Sequence, residues 1–415
     1  MTSQIVLMNK IGLAIASDSS LTMTRGDNRR TYASAEKIFP LGAEHKVAVL
    51  HSGTVEFMEH PYEVLLTEWI KSLQKAYGTL EEYADSFCSW LAHRQDLFPE
   101  ESQAEFLESL VTEYLLETRS TIRKYLSEQS ITESEWNNPD VLEKVNGILV
   151  EDIAYLDSLR DLEGINEKWA ENRFQSLKSV LQAAIEYVFD DVPRDEISDS
   201  KYEIIVKKLL FKKTESRDYD ARIALVGYGH QSIYPKHIWI DFQGVVGDKP
   251  RYVKDSISIA TTMGSSLRSH AQDEAIHTFL RAYHPSFSRL AVNYQTETID
   301  LLEAKVLETL GEEALGQIQS ELELIRNERE SGAYEEFRKA SQRDFVDPFT
   351  STLSGLPSTS LGKMAENLIE LQILRQTSQA IQDTVGGPVD VAVITLEKGF
   401  QWFRHKTLED LWSSI

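Results

Sequence analysis

The sequence predicts an α+β protein in which two sheets carry helices on their outer faces. Three observations lead there. Short apolar runs of strand length cluster near the start, in the middle and at the end of the chain; stretches with apolar residues at helical spacing separate them; and Gly, Pro and Asn punctuate the strand groups where turns are needed.

The first group is a hairpin, Ile5 to Met8 and Leu13 to Ser17, turning through Asn9-Lys10-Ile11-Gly12. Its return strand brings Asp18 back beside the chain start. Residues 20–31 are polar around Gly26, Asp27 and Asn28, and read as a loop. A second strand pair, Ala35 to Phe39 and Lys46 to His51, is separated by Pro40 and Gly42 and ends in Ser52-Gly53-Thr54. The period then changes from two to 3.6: Tyr62, Leu65, Leu66, Trp69, Ile70, Leu73 and Tyr77 make one apolar stripe, with Gly78 as its stop.

Residues 79–215 are helical and acidic. Phe106, Leu107, Leu110, Val111, Tyr114 and Leu115 form one stripe, and Phe174, Leu177, Leu181, Ile185 and Val188 another, as in a bundle. Acidic residues around Pro193 mark a loop. Strands return at Ile223 to Tyr228, His237 to Phe242 and Ile257 to Thr262, with turns at Gly229 to Pro235 and Gly244 to Pro250. A helical stretch covers roughly 265–345, and Leu361 to Ser378 is a further helix with Ser360 as its N-cap. The last strands are Val389 to Thr395 and Phe400 to Phe403. The organisation expected is a core of 1–78 and 216–415, with extra helices at about 290–360, and a helical acidic insertion at 79–215.

In the 415 residues, 43 Lys and Arg stand against 66 Asp and Glu, a net charge of −23 that argues against nucleic acid or an anionic membrane as the main partner. The single cysteine, Cys88, excludes an intramolecular disulfide framework, fits a reducing cytoplasm and reads as a small buried hydrophobe. No apolar run is long enough to span a bilayer, and no basic segment precedes an apolar core as in a signal peptide. Familiar motifs fail as well. Gly227-x-Gly229 lacks the further glycine of a dinucleotide loop, there is no Walker-type lysine motif and no G-x-S-x-G elbow, and His51 and His60 lack metal-ligand spacing, so neither a cofactor nor a metal is expected.

The chemistry converges on the N-terminus. If Met1 is removed, as a small second residue permits, Thr2 becomes a free terminal threonine at the tip of a strand. Its hydroxyl is inert at its ordinary pKa, but its own α-amine titrates near neutrality and lies within reach of Oγ, so one residue supplies nucleophile and base. Asp18 closes the first hairpin, where a buried carboxylate needs a partner. Lys37 sits among Ala35, Ile38 and Phe39, a costly place for an ammonium without a carboxylate. An Asp18–Lys37 pair next to Thr2 holds positive charge by the hydroxyl. Gly53 offers a backbone N–H to a developing oxyanion. Each also has a plainer reading: Asp18 as a turn residue, Lys37 as a surface lysine on an edge strand, Gly53 as a helix-start glycine.

Thr2, Ala16-Ser17-Asp18-Ser19 with Thr22, Glu36-Lys37-Ile38-Phe39-Pro40 and Leu50-His51-Ser52-Gly53 resemble, as a set, the catalytic β-type subunits of the proteasome superfamily, which includes the HslV peptidases and the Anbu group, all N-terminal-nucleophile hydrolases. More loosely, Val226-Gly227-Tyr228 with Ile238 to Gly244 is similar to that family's central hairpin, and Gln382 to Asp390 to the segment carrying its second aspartate. The resemblance covers about 1–75, 220–285 and 380–405. It implies a four-layer αββα sandwich with a helical insertion; Thr2, Asp18, Lys37 and Asp383 as catalytic residues; Gly53 as the oxyanion donor; and Thr22 as a backbone partner of an extended substrate. The serine usual three residues after the second aspartate is replaced by Gly386, and either Thr262 or Ser265 stands for the family's other serine.

The activity implied is that of a threonine peptidase without metal or cofactor, acting on a peptide or unfolded protein inside a homo-oligomeric ring or spiral, with a separate unfoldase. Two other readings stay open: a non-catalytic proteasome-like scaffold whose helices bind a partner, and a small-molecule amidohydrolase on the same fold.

Overall fold

A computed structural model describes residues 2–25, 28–32, 35–216, 220–259, 264–378 and 385–407. Strands β1 (Ser3–Asn9) and β2 (Gly12–Ser17) form the opening hairpin, and β3 (Leu21–Arg25) and β4 (Asn28–Tyr32) pair with each other. Next come β5 (Ile38–Pro40), β6 (Lys46–Gly53), the short ribbon β7 (Glu56–Phe57) and β8 (His60–Pro61), then helices α1 (Tyr62–Ser72) and α2 (Leu80–Ala92). The helical region holds α3 (Glu100–Glu128), α4 (Pro139–Ser158), α5 (Glu167–Ser176), α6 (Lys178–Val188) and α7 (Glu196–Leu209). Strands β9 (Ala221–Tyr228), β10 (Lys236–Val246), β11 (Lys249–Ser258) and β12 (Ser265–Ala271) lead to α8 (Glu274–Arg281), α9 (Pro285–Leu310), α10 (Glu312–Ser341), α11 (Asp347–Ser354) and α12 (Ser358–Ser378). Strands β13 (Asp390–Thr395) and β14 (Gly399–Arg404) come last. The chain is thus a mixed α and β protein, and every strand pairing among the described residues is antiparallel.

It divides into two compact units. The first, Met1–Lys37, Ile233–Pro235 and Ile259–Ile415, is built on the sheet β12-β1-β2-β13-β14. Ile5, Leu7, Ala14, Ala16, Val391 and Val393 form one face, which packs on Ile276 of α8, Leu353 of α11 and Leu361, Ala365 and Ile369 of α12. On the opposite face Val6, Met8, Leu13, Ile15, Ala392 and Ile394 are buried too, which is why these strands read as continuous apolar runs rather than alternating ones. Asn9 makes the hairpin turn: its Oδ1 accepts from the N–H groups of Ile11 and Gly12, and its Nδ2 donates to the carbonyls of Leu353 and Leu356.

The second unit, Ile38–Ser232 and Lys236–Ser258, is built on the sheet β11-β10-β9-β6-β5. Val47, Val49, Ile223, Leu225, Ile238 and Ile240 share one core with Leu65, Leu66 and Trp69 of α1 and Tyr83, Phe87 and Leu91 of α2. Truncating Trp69, which is fully buried, to alanine costs roughly 3–5 kcal/mol. Helices α3 to α7 have a core of their own, which Val246 and Val253 of the sheet join. The buried Arg251 of β11 donates to the carbonyls of Leu209 and Leu210, satisfying acceptors that the end of α7 would otherwise leave open. Burial pulls its guanidinium down to about 10.

Several expectations need correction. The stretch 20–31 that read as a loop holds strands instead, Leu21–Arg25 and Asn28–Tyr32 being paired as β3 and β4, while Gly26 and Asp27, which suggested the loop, lie outside the described residues. Lys37 precedes β5 rather than lying inside a strand. The stripe through Phe174 to Val188 breaks at Leu177, whose φ of −110° and ψ of 17° separate α5 from α6. Gly244 to Pro250 is mostly strand, the turn being Gly247-Asp248 alone, and β11 ends at Ser258. Residues 265–271 form β12, not a helix, and Ser360 lies inside α12 instead of capping it. Among the described residues no helix is long and apolar enough to cross a membrane.

Candidate functional site

Thr2, Asp18 and Lys37 all lie in the first unit, and the β1–β2 hairpin determines how they meet. The register sets Gln4 opposite Ser17, so Asp18 follows directly beside the start of β1: its N–H donates to the Ser3 carbonyl at 3.1 Å. The Asp18 carboxylate is enclosed, with 1% of the residue exposed. Oδ1 accepts from the Ser3 N–H at 2.9 Å and from Lys37 Nζ at 2.8 Å, while Oδ2 accepts from the N–H groups of Ser20 and Gly386, each at 3.2 Å. Four donors thus converge on one buried carboxylate.

Lys37 is 5% exposed, and Gln4 Nε2 donates to its carbonyl at 3.4 Å. Burial, partly offset by Asp18, draws its ammonium below the ordinary lysine value. The plainer readings of both residues fail: Asp18 is no exposed turn residue, and Lys37 is no surface lysine. Thr2 itself is 7% exposed, and its carbonyl accepts from the Gln272 N–H at 2.8 Å, which carries the β1–β12 ladder up to the threonine.

A second group of charges adjoins this pair. Lys406 Nζ donates to Glu36 Oε2 at 3.0 Å and to Asp390 Oδ2. Asp390 Oδ1 accepts from the Lys406 N–H at 2.8 Å and lies 3.0 Å from His405 Nδ1, and the His405 ring stacks on Trp402. Glu36, Asp390 and His405 thus bring ligand-type atoms together, but the cation between the two carboxylates is the Lys406 ammonium. At the α8 end of β12, Ser269 Oγ donates to Asp273 Oδ2 at 2.6 Å, and His277 Nε2 lies 3.0 Å from the same oxygen. Burial works against ionisation of Asp273, yet these two bonds hold its carboxyl below the usual range. The carboxylate stands between hydroxyl and imidazole, the reverse of the order in which a histidine activates a serine.

The remaining candidates are placed as follows. Asp383 lies outside the described residues, but Gly386 beyond it is tied to the site, its N–H on Asp18 and its carbonyl accepting from the Ser19 N–H at 3.2 Å. Thr22 lies in β3 opposite Thr31, and its side chain is outside the described residues. Thr262 is also outside them. Ser265 stands opposite Asn9, at the far end of β1 from Thr2, and donates to the Thr350 carbonyl at 2.7 Å, so it takes no part in this cluster. Gly53 belongs to the second unit, where it ends β6 with a φ of +101°. A Cβ there would meet the Asp220 carbonyl oxygen at 2.5 Å, so only glycine fits, and it does not start a helix.

Sequence reasoning missed Glu36, Asp390, His405 and Lys406, and also Ser269, Asp273 and His277. The i, i+4 spacing of Asp273 and His277 was the one signal available for the latter.

No protein-family model matches the sequence, and no curated protein does. Among solved structures the chain aligns with Anbu from Hyphomicrobium sp. strain MC1 at 8% identity and a TM-score of 0.29, covering 99% of this chain and 94% of that one. A likeness at that TM-score carries no part of the functional argument.

Proposed function

We propose that the chain is an N-terminal-nucleophile hydrolase that cleaves peptide bonds with Thr2. The observation that carries this reading is the buried Asp18–Lys37 pair at the Thr2 end of β1. Burying an ion pair costs desolvation free energy that packing alone does not require, so its placement at the Thr2 end of the strand asks for a chemical reason.

In this reading Met1 is removed and the freed α-amine of Thr2, through a water, takes the Oγ proton. Oγ attacks the peptide carbonyl, the C–N bond breaks and the amine leaves with a proton; water then hydrolyses the ester and restores the threonine. The Lys37 ammonium favours the deprotonated forms of amine and hydroxyl, and Asp18 holds it in place. Asp383 as an orienting carboxylate, Thr22 as substrate partner, the four-layer αββα sandwich and an unfoldase partner enter on the resemblance alone, while Gly53 as oxyanion donor and a cytoplasmic location rest on the sequence reading. Self-assembly has one supporting feature: Phe287, Leu290, Tyr294 and Leu301 recur along α9 and stay 63–72% exposed, an apolar stripe of the kind that a second copy covers.

The scaffold reading is favoured by one observation, the burial of Thr2 itself. The discriminating experiment compares the wild type with Thr2→Ala on unfolded casein and on a panel of peptidyl-aminocoumarins. Peptide cleavage lost in the variant is the expected result. Hydrolysis of simple acyl amides without peptide cleavage would move the assignment to an amidohydrolase, and no hydrolysis by the wild type would favour the scaffold.

A further inference from the structure

The segment that delivers Lys37 runs between β4 and β5. Its Ala35 N–H donates to the Ser19 carbonyl, and Gln4 Nε2 reaches the Lys37 carbonyl at a long 3.4 Å. Strand β5 begins only at Ile38. Lys37 thus carries its buried charge on a four-carbon side chain from a backbone position just ahead of the strand.

Lys406 supplies a tether for this segment. It lies two residues past β14, its side chain is 6% exposed, and its ammonium bridges Glu36, the residue before Lys37, to Asp390, the first residue of β13. Asp390 is itself fixed: its side chain is 3% exposed, it stands opposite Ser17 in the β2–β13 ladder, and it accepts a backbone bond from Lys406. Ser17 directly precedes Asp18. One ammonium thus ties the Lys37 segment to the same strand register that places Asp18.

We propose that Lys406 is a positioning residue: by bridging Glu36 and Asp390 it holds the Lys37 ammonium on Asp18 beside Thr2. The inference rests on the peptidase reading for its consequence, but not for its geometry. Lys406 touches neither Thr2 nor Asp18 in this role. It acts through Glu36 on the backbone of Lys37 and through its own positive charge, which adds to the depression of the Lys37 ammonium while the Asp390 carboxylate opposes it. The groups facing Lys37 are therefore Asp18, Lys406 and Asp390.

The test uses the full chain and two readouts. The first is protection of Lys37 from reductive methylation, mapped by peptide mass spectrometry against the exposed lysines. The second is the rate at which a peptide epoxyketone forms an adduct at Thr2, measured across pH. Lys406→Met is expected to speed Lys37 methylation at least tenfold, to slow adduct formation at least tenfold and to shift its pH profile. Lys406→Arg, which keeps the charge and both carboxylate bonds, is expected to restore both to within about threefold of wild type. Unchanged Lys37 protection in Lys406→Met, or an arginine variant no better than the methionine one, would overturn the proposal. Should Lys406→Met fail to fold, Glu36→Gln removes only the outer half of the bridge and is expected to raise Lys37 methylation about threefold; wild-type protection there would also overturn it. A wild type that forms no adduct would defeat the peptidase reading and leave the methylation ratio to decide the tether.

Discussion

The two ends of the first unit's sheet bury polar groups in different ways. At the end with Asn9, Gly12 and Ser265 the buried side chains of Asn9 and Ser265 make neutral bonds: Asn9 caps its own turn and bonds two carbonyls, and Ser265 donates to a third. At the opposite end, with Thr2, Asp18 and Asp390, the sheet carries buried ions, Asp18 with Lys37 and Asp390 with Lys406. The same strands and the same hydrophobic layer serve both ends. Neutral bonds suffice to close a sheet, so the charged end holds more than closure needs, and it is the end at which Thr2 stands.

The comparison predicts that the two ends answer mutation differently. The largest effect belongs to Thr2→Ala, which is expected to abolish epoxyketone adduct formation and peptide turnover, a loss on the order of 10³-fold or more, because the nucleophilic Oγ is gone although the terminal α-amine remains. Its melting temperature should stay within a few degrees of wild type, and a calorimetric scan beside the activity assay checks both. Next is Lys37→Met, which strands the Asp18 carboxylate in a site with 1% exposure and is expected to cost 3–5 kcal/mol in urea denaturation, roughly the cost of a broken buried pair. The accompanying change Asp18→Asn in the same chain should recover part of that stability without recovering activity.

Asn9→Ala, at the neutral end, is expected to cost about 1–3 kcal/mol, the penalty for leaving buried donors and acceptors open, while adduct formation by the folded fraction is unchanged. A drop in that rate would break the division between the ends. The smallest effect is electrostatic. Folding lowers the Lys37 ammonium below its unfolded value, so between the two values the unfolded chain binds more protons and stability rises with pH. Arginine does not titrate in that window, so the stability of wild type relative to Lys37→Arg should improve as pH rises through it, by urea midpoints measured at successive pH values.

How far the sequence could be read follows from where each signal lies. The opening hairpin was legible because its turn residues and apolar runs are contiguous, and the Asp18–Lys37 pair because a charge among apolar neighbours demands a partner. Strand β12 was not, since Ser265 to Ala271 offers only Leu267 and Ala271 as apolar residues and is closed partly by hydroxyl bonds such as that of Ser265. The β3–β4 pair after Ser20 was hidden because its stretch of sequence is polar and contains Gly26, Asp27 and Asn28, residue types that read as a loop. Lys406 was invisible for a different reason: its partners are 370 and 16 residues away, and nothing local to a lysine near the end of the chain announces them.

The central claim is that Thr2 becomes a competent terminal nucleophile. The most direct measurement is the intact mass of the protein expressed in bacteria, before and after incubation with a peptide epoxyketone, followed by mapping of the adduct. Loss of Met1 with a single adduct on Thr2 is the predicted result. A retained Met1 and no adduct would contradict the account and leave the buried charges without a catalytic purpose.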